Sequence, residues 1–205
     1  IAFLFSAMRH FAEEIKASGY NVEYVKLNDK DNTGFFKTEV ERTVKKYNSD
    51  HIVVTHPGEY RVLRDMQSWE QDLGIPVKIK SDDRFLCTTD EFAKWAKDKK
   101  QLRMENFYRE MRKKHSILMN GSDPVGGQWN YDSENRQPPK SGLKIPKPYM
   151  NIIDDISQEV MDMVSEHFSE HFGDLHPLYF AVTREQALQS LNLFIEHRLK
   201  DFGTF

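Results

Sequence analysis

His167-Phe168-Ser169-Glu170-His171 is an H-x-x-E-H string. On a helix, two histidines four residues apart share a face and can hold Zn²⁺, with the glutamate as general base. His176, Glu185 and Glu196 are the candidates for a third ligand. Gly173 and Pro177 follow closely, so the helix is expected to end nearby, leaving a third ligand without fixed geometry. Such a pattern also arises readily in a chain with eight histidines. The expected role is polar surface flanking Phe168 and Phe172, and no metal is assigned. A zinc-dependent hydrolase stands as the alternative from another functional class.

The other reactive side chains are placed less pointedly. Cys87 follows Phe85-Leu86 and reads as a small core residue rather than a thiolate nucleophile. As the single cysteine it allows neither an intrachain disulfide nor a zinc ribbon. Ser6 lacks the G-x-S-x-G elbow of a serine hydrolase. Asp82-Asp83 could face a ligand hydroxyl, but reads more naturally as a turn or helix cap. No G-x-G-x-x-G or G-x-x-x-x-G-K-[ST] string cradles phosphates, which disfavours an ordinary nicotinamide or nucleoside-triphosphate enzyme. Lys99, Lys100, Arg103, Arg109, Arg112, Lys113 and Lys114, with Phe107 and Tyr108 among them, make the most basic stretch. Cations interleaved with aromatics can hold a nucleic-acid backbone, whereas a solvated helix face is the plainer account.

The elements that must position these groups follow from hydrophobic period. Residues 1–5 form a continuous apolar run, as expected of a parallel strand buried on both faces. Met8, Phe11, Ala12 and Ile15 follow at helical spacing, and Gly19 ends that helix. Strands are expected at residues 22–27, 52–54 and 75–79, the last at an edge because of Pro76. Helices are marked by Val40, Val44 and Tyr47, and by Val62, Leu63, Met66, Trp69 and Leu73. Strand–helix alternation predicts an α/β fold, a Rossmann-like parallel sheet with flanking helices. Its functional rim would lie beyond the strand ends, at residues 6–9, 28–32, 55–60 and 81–85.

From residue 89 to about 119 the chain reads as helical, with Thr89 or Asp90 as cap. Residues 120–148 hold five of the eight prolines and read as a linker, pinned by Trp129 and Tyr131. Ile152, Ile153, Ile156, Val160, Met163 and Val164 stripe one further helix; Thr183 and Gln186 form a capping box opening another. Two helices cannot bury both stripes, so an all-α domain is expected to continue. The chain also opens inside an apolar run and closes directly after a patterned helix. The expected division is therefore a Rossmann-like domain at 1–119, a linker at 120–148, and the start of a helical domain at 149–205, all cut from a longer protein.

A net charge of −3 gives no global basic signature. No apolar run approaches the roughly 20 residues of a membrane span. No secretory signal opens the chain. A soluble, intracellular protein without a membrane partner is expected.

Several strings, taken together and in order, resemble one family. They are Phe3-Leu4-Phe5-Ser6-Ala7-Met8-Arg9-His10-Phe11-Ala12, Pro57-Gly58-Glu59-Tyr60-Arg61-Val62 and Asp82-Asp83-Arg84-Phe85-Leu86-Cys87. Lys100-Gln101-Leu102-Arg103-Met104-Glu105 and Pro124-Val125-Gly126-Gly127-Gln128-Trp129-Asn130-Tyr131-Asp132 follow, with Glu134-Asn135-Arg136 and Thr183-Arg184 later. The sequence resembles the deoxyribodipyrimidine photolyase-related proteins, the iron–sulfur bacterial cryptochromes and photolyases that include prokaryotic (6-4) photolyases.

The resemblance implies a light-dependent DNA-repair flavoprotein, or a blue-light photoreceptor on the same scaffold, monomeric and in the bacterial cytoplasm. It implies an antenna-side domain housing a lumazine-type chromophore, and a helical domain holding FAD and a 4Fe–4S cluster. Residue 1 would correspond to the family's second strand, with much of the antenna pocket upstream. One cysteine cannot hold the cluster, so its ligands are expected beyond residue 205, and no catalytic side chain is assigned within the chain. Leu4, Ser6 and Met8 are implied as antenna-pocket positions. Lys100, Arg103 and Arg136 are implied as phosphate contacts to damaged DNA, against the reading that Arg103 and Arg136 brace Glu105 or Asp132.

Overall fold

A computed structural model describes residues 1–132, 138, 141–142 and 146–204. The chain forms two compact units, Asp31–Tyr131 and a second built from Ile1–Lys30 with Asp132–Phe205.

In the Asp31–Tyr131 unit the chain runs from a polar loop into helix α2 (Phe36–Tyr47), strand β1 (Ile52–Thr55), α3 (Tyr60–Leu73) and β2 (Val77–Lys80). The strands pair in parallel, Ile52 opposite Val77 and Thr55 opposite Lys80. This β1–α3–β2 unit is the part of the expected parallel sheet that the described residues contain. Ile52 is buried, while Val53, Thr55, Lys78 and Lys80 are exposed on the alternate face. Trp69 of α3 is 1% exposed, its indole N–H donating to Asp65 Oδ2 at 3.0 Å. Gly74, at φ 70°, ends α3 in the left-handed conformation that the turn into β2 requires. Of the expected rim, residues 55–60 and 81–85 do lie at the carboxyl ends of these strands.

The helix expected at residues 89–119 is two helices, α4 (Thr89–Ala96) and α5 (Met104–His115). Thr88, one residue before the expected cap, closes a capping box with Glu91. No apolar residue lies between Ala96 and Leu102, so a helix there would have no face to bury. Lys97 leaves the helix and Asp98 takes a left-handed φ of 62°. Phe92, Trp95 and Phe107 then lock α4 to α5, ring centroids 5.0–5.6 Å apart. After α5 a short antiparallel hairpin pairs β3 (Met119–Asn120) with β4 (Asp123–Pro124).

The second unit is helical, and here the structure overturns an expectation. Residues 1–5 are not a buried strand: they lie almost wholly in α1 (Ala2–Ala17). Neither Gly nor Pro separates the apolar run from the helical pattern after it. Ala2, Ser6, Arg9 and Ala12, spaced at four and three residues, become one buried stripe. Residues 22–27 likewise form no strand, for strand formers need a ladder partner and none lies beside them among the described residues. The Rossmann-like topology is accordingly not what the described residues display.

Helix α6 (Asp155–His167) packs on α1, with Val160, Met161, Met163 and Val164 at the core beside Ala2 and Leu178. Asp154 caps α6 by accepting from the Ser157 N–H at 2.8 Å. It also accepts from His10 Nε2 at 2.6 Å, while His10 Nδ1 lies 2.7 Å from the Ser6 carbonyl. Burial pushes the Asp154 carboxyl up, but the Ser157 N–H and His10 imidazole outweigh it and hold it below its ordinary value. Glu159 takes Arg9 at 3.1 Å and Lys26 at 2.6 Å. Helix α7 (Arg184–His197) opens on the expected Thr183–Gln186 capping box and runs into a 3₁₀ turn, Leu199–Thr204.

Candidate nucleic-acid interface

The basic stretch is sorted by α4 and α5 into consumed and available cations. Arg112 is consumed. It is 6% exposed, and its guanidinium donates to the carbonyls of Ile117 (3.1 Å), Leu118 (2.5 Å) and Trp129 (3.4 Å) and to the Tyr108 hydroxyl (3.2 Å). It also lies 5.4 Å from the ring centroids of both Tyr108 and Trp129. Arg109 and Lys113 approach the same indole at 5.3 and 5.5 Å. Trp129 is thus the anchor of the segment after α5, the packing role expected of it. Tyr131 adds a hydrogen bond to the Gly126 carbonyl, and a Cβ on Gly126 would lie 2.1 Å from the tyrosine oxygen.

The carboxylates nearby are also occupied. Glu105 accepts from Arg109 at 2.7 Å and from Asn130 at 3.1 Å, and these bonds hold its carboxyl below the usual range. Glu91 accepts from Lys114 and from the Thr88 N–H, which lower it to about 2. Arg103 does not brace Glu105. It is the N-cap of α5, exposed, and donates to Gln101 Oε1 at 3.3 Å. Lys100 is exposed in the turn before it, with no ion pair among the described residues. Lys100 and Arg103 therefore share one open turn. Arg136 lies outside the described residues.

The antenna candidates are separated by the helix that replaced the strand. Leu4 and Met8, four residues apart, are 61% and 53% exposed on one face of α1. Ser6 lies on the opposite face, buried, its hydroxyl without a hydrogen-bond partner among the described residues. The structure does not bring Ser6 to a surface shared with Leu4 and Met8.

The H-x-x-E-H geometry fails for a physical reason. His167 is the last residue of α6, and Phe168 at its C-cap has left helical geometry. His171 lies in the turn beyond, its N–H on the Phe168 carbonyl and its ring edge-on to Phe168 at 5.2 Å. The two imidazoles therefore do not share a helix face, and no cluster of three ligating side chains occurs among the described residues. Asp82 is a turn brace, holding Arg84 at 2.6–2.7 Å; those bonds lower its carboxyl. Cys87 is half-buried, Sγ 3.3 Å from the Thr88 carbonyl.

Comparison with known proteins gives this arrangement its context. The family model described as deoxyribodipyrimidine photo-lyase-related protein matches residues 1–180. The chain is 49% identical over 203 residues to the (6-4) photolyase of Agrobacterium fabrum (strain C58 / ATCC 33970), covering 99% of this chain and 40% of that protein. It is 26% identical over 141 residues to uncharacterized protein R852 of Acanthamoeba polyphaga mimivirus, covering 67% of this chain and 69% of that one. The chain thus spans 40% of the length of the bacterial relative. No helix among the described residues is long and apolar enough to cross a membrane. With the family model matching most of its length, the chain belongs to the deoxyribodipyrimidine photolyase-related protein family.

Proposed function

We propose that the chain is part of a light-dependent DNA-repair flavoprotein of the (6-4) photolyase type, acting as a monomer on damaged DNA. The observation that carries this reading is 49% identity, sustained over 99% of the chain, with a protein of that name. In the longer protein, residues 1–119 would form the antenna-side domain, 120–148 the linker and 149–205 the opening of the flavin domain.

The cofactors of that activity divide by fit. A 4Fe–4S cluster needs four cysteine ligands, and Cys87 alone does not fit one. The exposed Leu4–Met8 face suits the flat ring of a lumazine-type antenna, whereas buried Ser6 does not reach it. FAD is assigned to residues outside this chain and, when bound and reduced, would supply the light-driven electron for repair. The part of this chain is to bind: Lys100 and Arg103 take backbone phosphates, and Arg136 is assigned the same role. Such contacts supply affinity without reading sequence.

The test is repair of an oligonucleotide carrying a (6-4) photoproduct by the flavin-loaded full-length protein, assayed by chromatography after illumination or darkness. Light-dependent restoration of the two pyrimidines is expected. A flavin-loaded protein that binds the duplex but restores nothing under light overturns the repair reading and leaves the photoreceptor reading.

A further inference from the structure

Within the Asp31–Tyr131 unit most cations near an acid are paired: Lys37 with Asp72, Arg42 with Glu39, Lys45 with Glu41, Arg84 with Asp82, Arg109 with Glu105 and Lys114 with Glu91. Lys94, Lys97, Lys99, Lys100 and Arg103 depart from that pattern. All five are exposed and none has a carboxylate partner among the described residues. Asp98 is the one acidic side chain between Lys94 and Arg103.

Local structure accounts for only part of this concentration. Lys94 in the last turn of α4 and Lys97 at its C-cap complement the negative end of the helix dipole. Lys99 rests over the Trp95 ring at 5.0 Å. Arg103 is placed against local electrostatics, since it caps the positive end of α5, where a cation is disfavoured. The turn nevertheless joins two helices that are locked together, because Phe107 of α5 packs on Phe92 and Trp95 of α4. A turn that gathers like charges without neutralising them is complementary to an external polyanion.

We propose that this ridge, Lys94 to Arg103, is a lesion-independent docking surface for the phosphate backbone of duplex DNA. The proposal rests on the DNA-repair reading for its partner and adds Lys94, Lys97 and Lys99 to the contacts at Lys100 and Arg103. Four of the five cations are lysines, which serve as point charges for phosphates and are depleted at protein–protein interfaces. From Lys94 to Lys97 the helix rises about 4.5 Å, and the six following residues add at most roughly 20 Å. With phosphates about 3.4 Å apart along the axis on each strand, the ridge spans several of them. Because it touches only backbone, it strengthens damaged and undamaged duplex equally.

The experiment measures affinity against salt for the full-length protein on matched duplexes with and without a (6-4) lesion, comparing wild type, K94Q/K97Q and K94R/K97R. K78Q/K80Q, on the exposed face of β2, removes the same charge elsewhere and serves as control. Losing two phosphate contacts reduces the log–log salt slope by roughly 1.8 units. That reduction is expected for K94Q/K97Q on both duplexes, while K94R/K97R and K78Q/K80Q keep the wild-type slope. An unchanged slope in K94Q/K97Q, or a change confined to the lesion duplex, overturns the proposal, as does an equal loss in K78Q/K80Q. Binding to undamaged duplex needs no light, so a protein that repairs nothing still decides the ridge. An unchanged slope with repair intact leaves the photolyase reading standing.

Discussion

Truncating Arg112 should destabilise the Asp31–Tyr131 unit more than any surface change in it. The side chain is 6% exposed and its guanidinium serves three carbonyls, one hydroxyl and two rings. Charge-assisted hydrogen bonds contribute about 1.5–3 kcal/mol each, but the lower end applies here. Ile117 and Leu118 are exposed, so water can reach their carbonyls once the arginine is gone, and the 3.4 Å contact to Trp129 is at the edge of a hydrogen bond. Two effective bonds, two partly exposed cation–π contacts of about 0.5 kcal/mol each and the lost methylenes oppose a regained side-chain entropy of about 2 kcal/mol. Arg112→Ala should therefore cost about 4 kcal/mol, and Arg112→Lys about half that, since lysine keeps stem and charge but not the planar fork. Urea unfolding should show a lower midpoint with an unchanged slope. Hydrogen exchange should quicken at Val125, whose N–H bonds the Leu118 carbonyl. A loss under about 1 kcal/mol with Val125 exchange unchanged would refute the view that this arginine ties residues 117–129 to α5.

Glu91 is lowered to about 2 by its bonds to Lys114 and the Thr88 N–H. A depressed carboxylate contributes stability that is present above its ordinary pKa near 4.5 and lost as pH falls towards about 2. Glu91→Gln should therefore flatten the acid limb of stability between those two values and leave alkaline behaviour unchanged; a thermal-melting pH series showing the same acid limb in both proteins would count against the pairing. Ser6→Ala should be neutral or stabilising by up to about 1 kcal/mol, because the buried Ser6 hydroxyl has no partner among the described residues to lose. A clear drop in melting temperature would show that the hydroxyl is bonded in solution.

Where local chemistry decides, the sequence was a sufficient guide. The Thr183–Gln186 capping box, the end of α1 near Gly19 and the apolar stripe of α6 depend on residues within a few positions of one another. The parallel pairing of residues 52–55 with 77–80 was also legible, because a helical period of suitable length lies between two short β-branched runs. Family membership came from the order of several long strings, which needs no coordinates.

The strands expected at residues 1–5 and 22–27 failed because there a segment's state depends on a partner that the sequence does not identify. The run at residues 1–5 suits a buried strand or a helix equally. α6 decided the matter by offering a surface to the Ala2–Ser6–Arg9–Ala12 stripe, and that choice parted Ser6 from Leu4 and Met8. His167 and His171 share a helix face only if the helix continues, and it stops between them. The basic stretch shows most plainly what tertiary structure alone decides. Seven cations between residues 99 and 114 are equivalent in a sequence. Folding withdraws Arg112 into carbonyls, pairs Arg109 and Lys114 with glutamates, and leaves Lys100 and Arg103 open, because burial and ion pairing are set by which side chains the packed helices bring within a few ångströms.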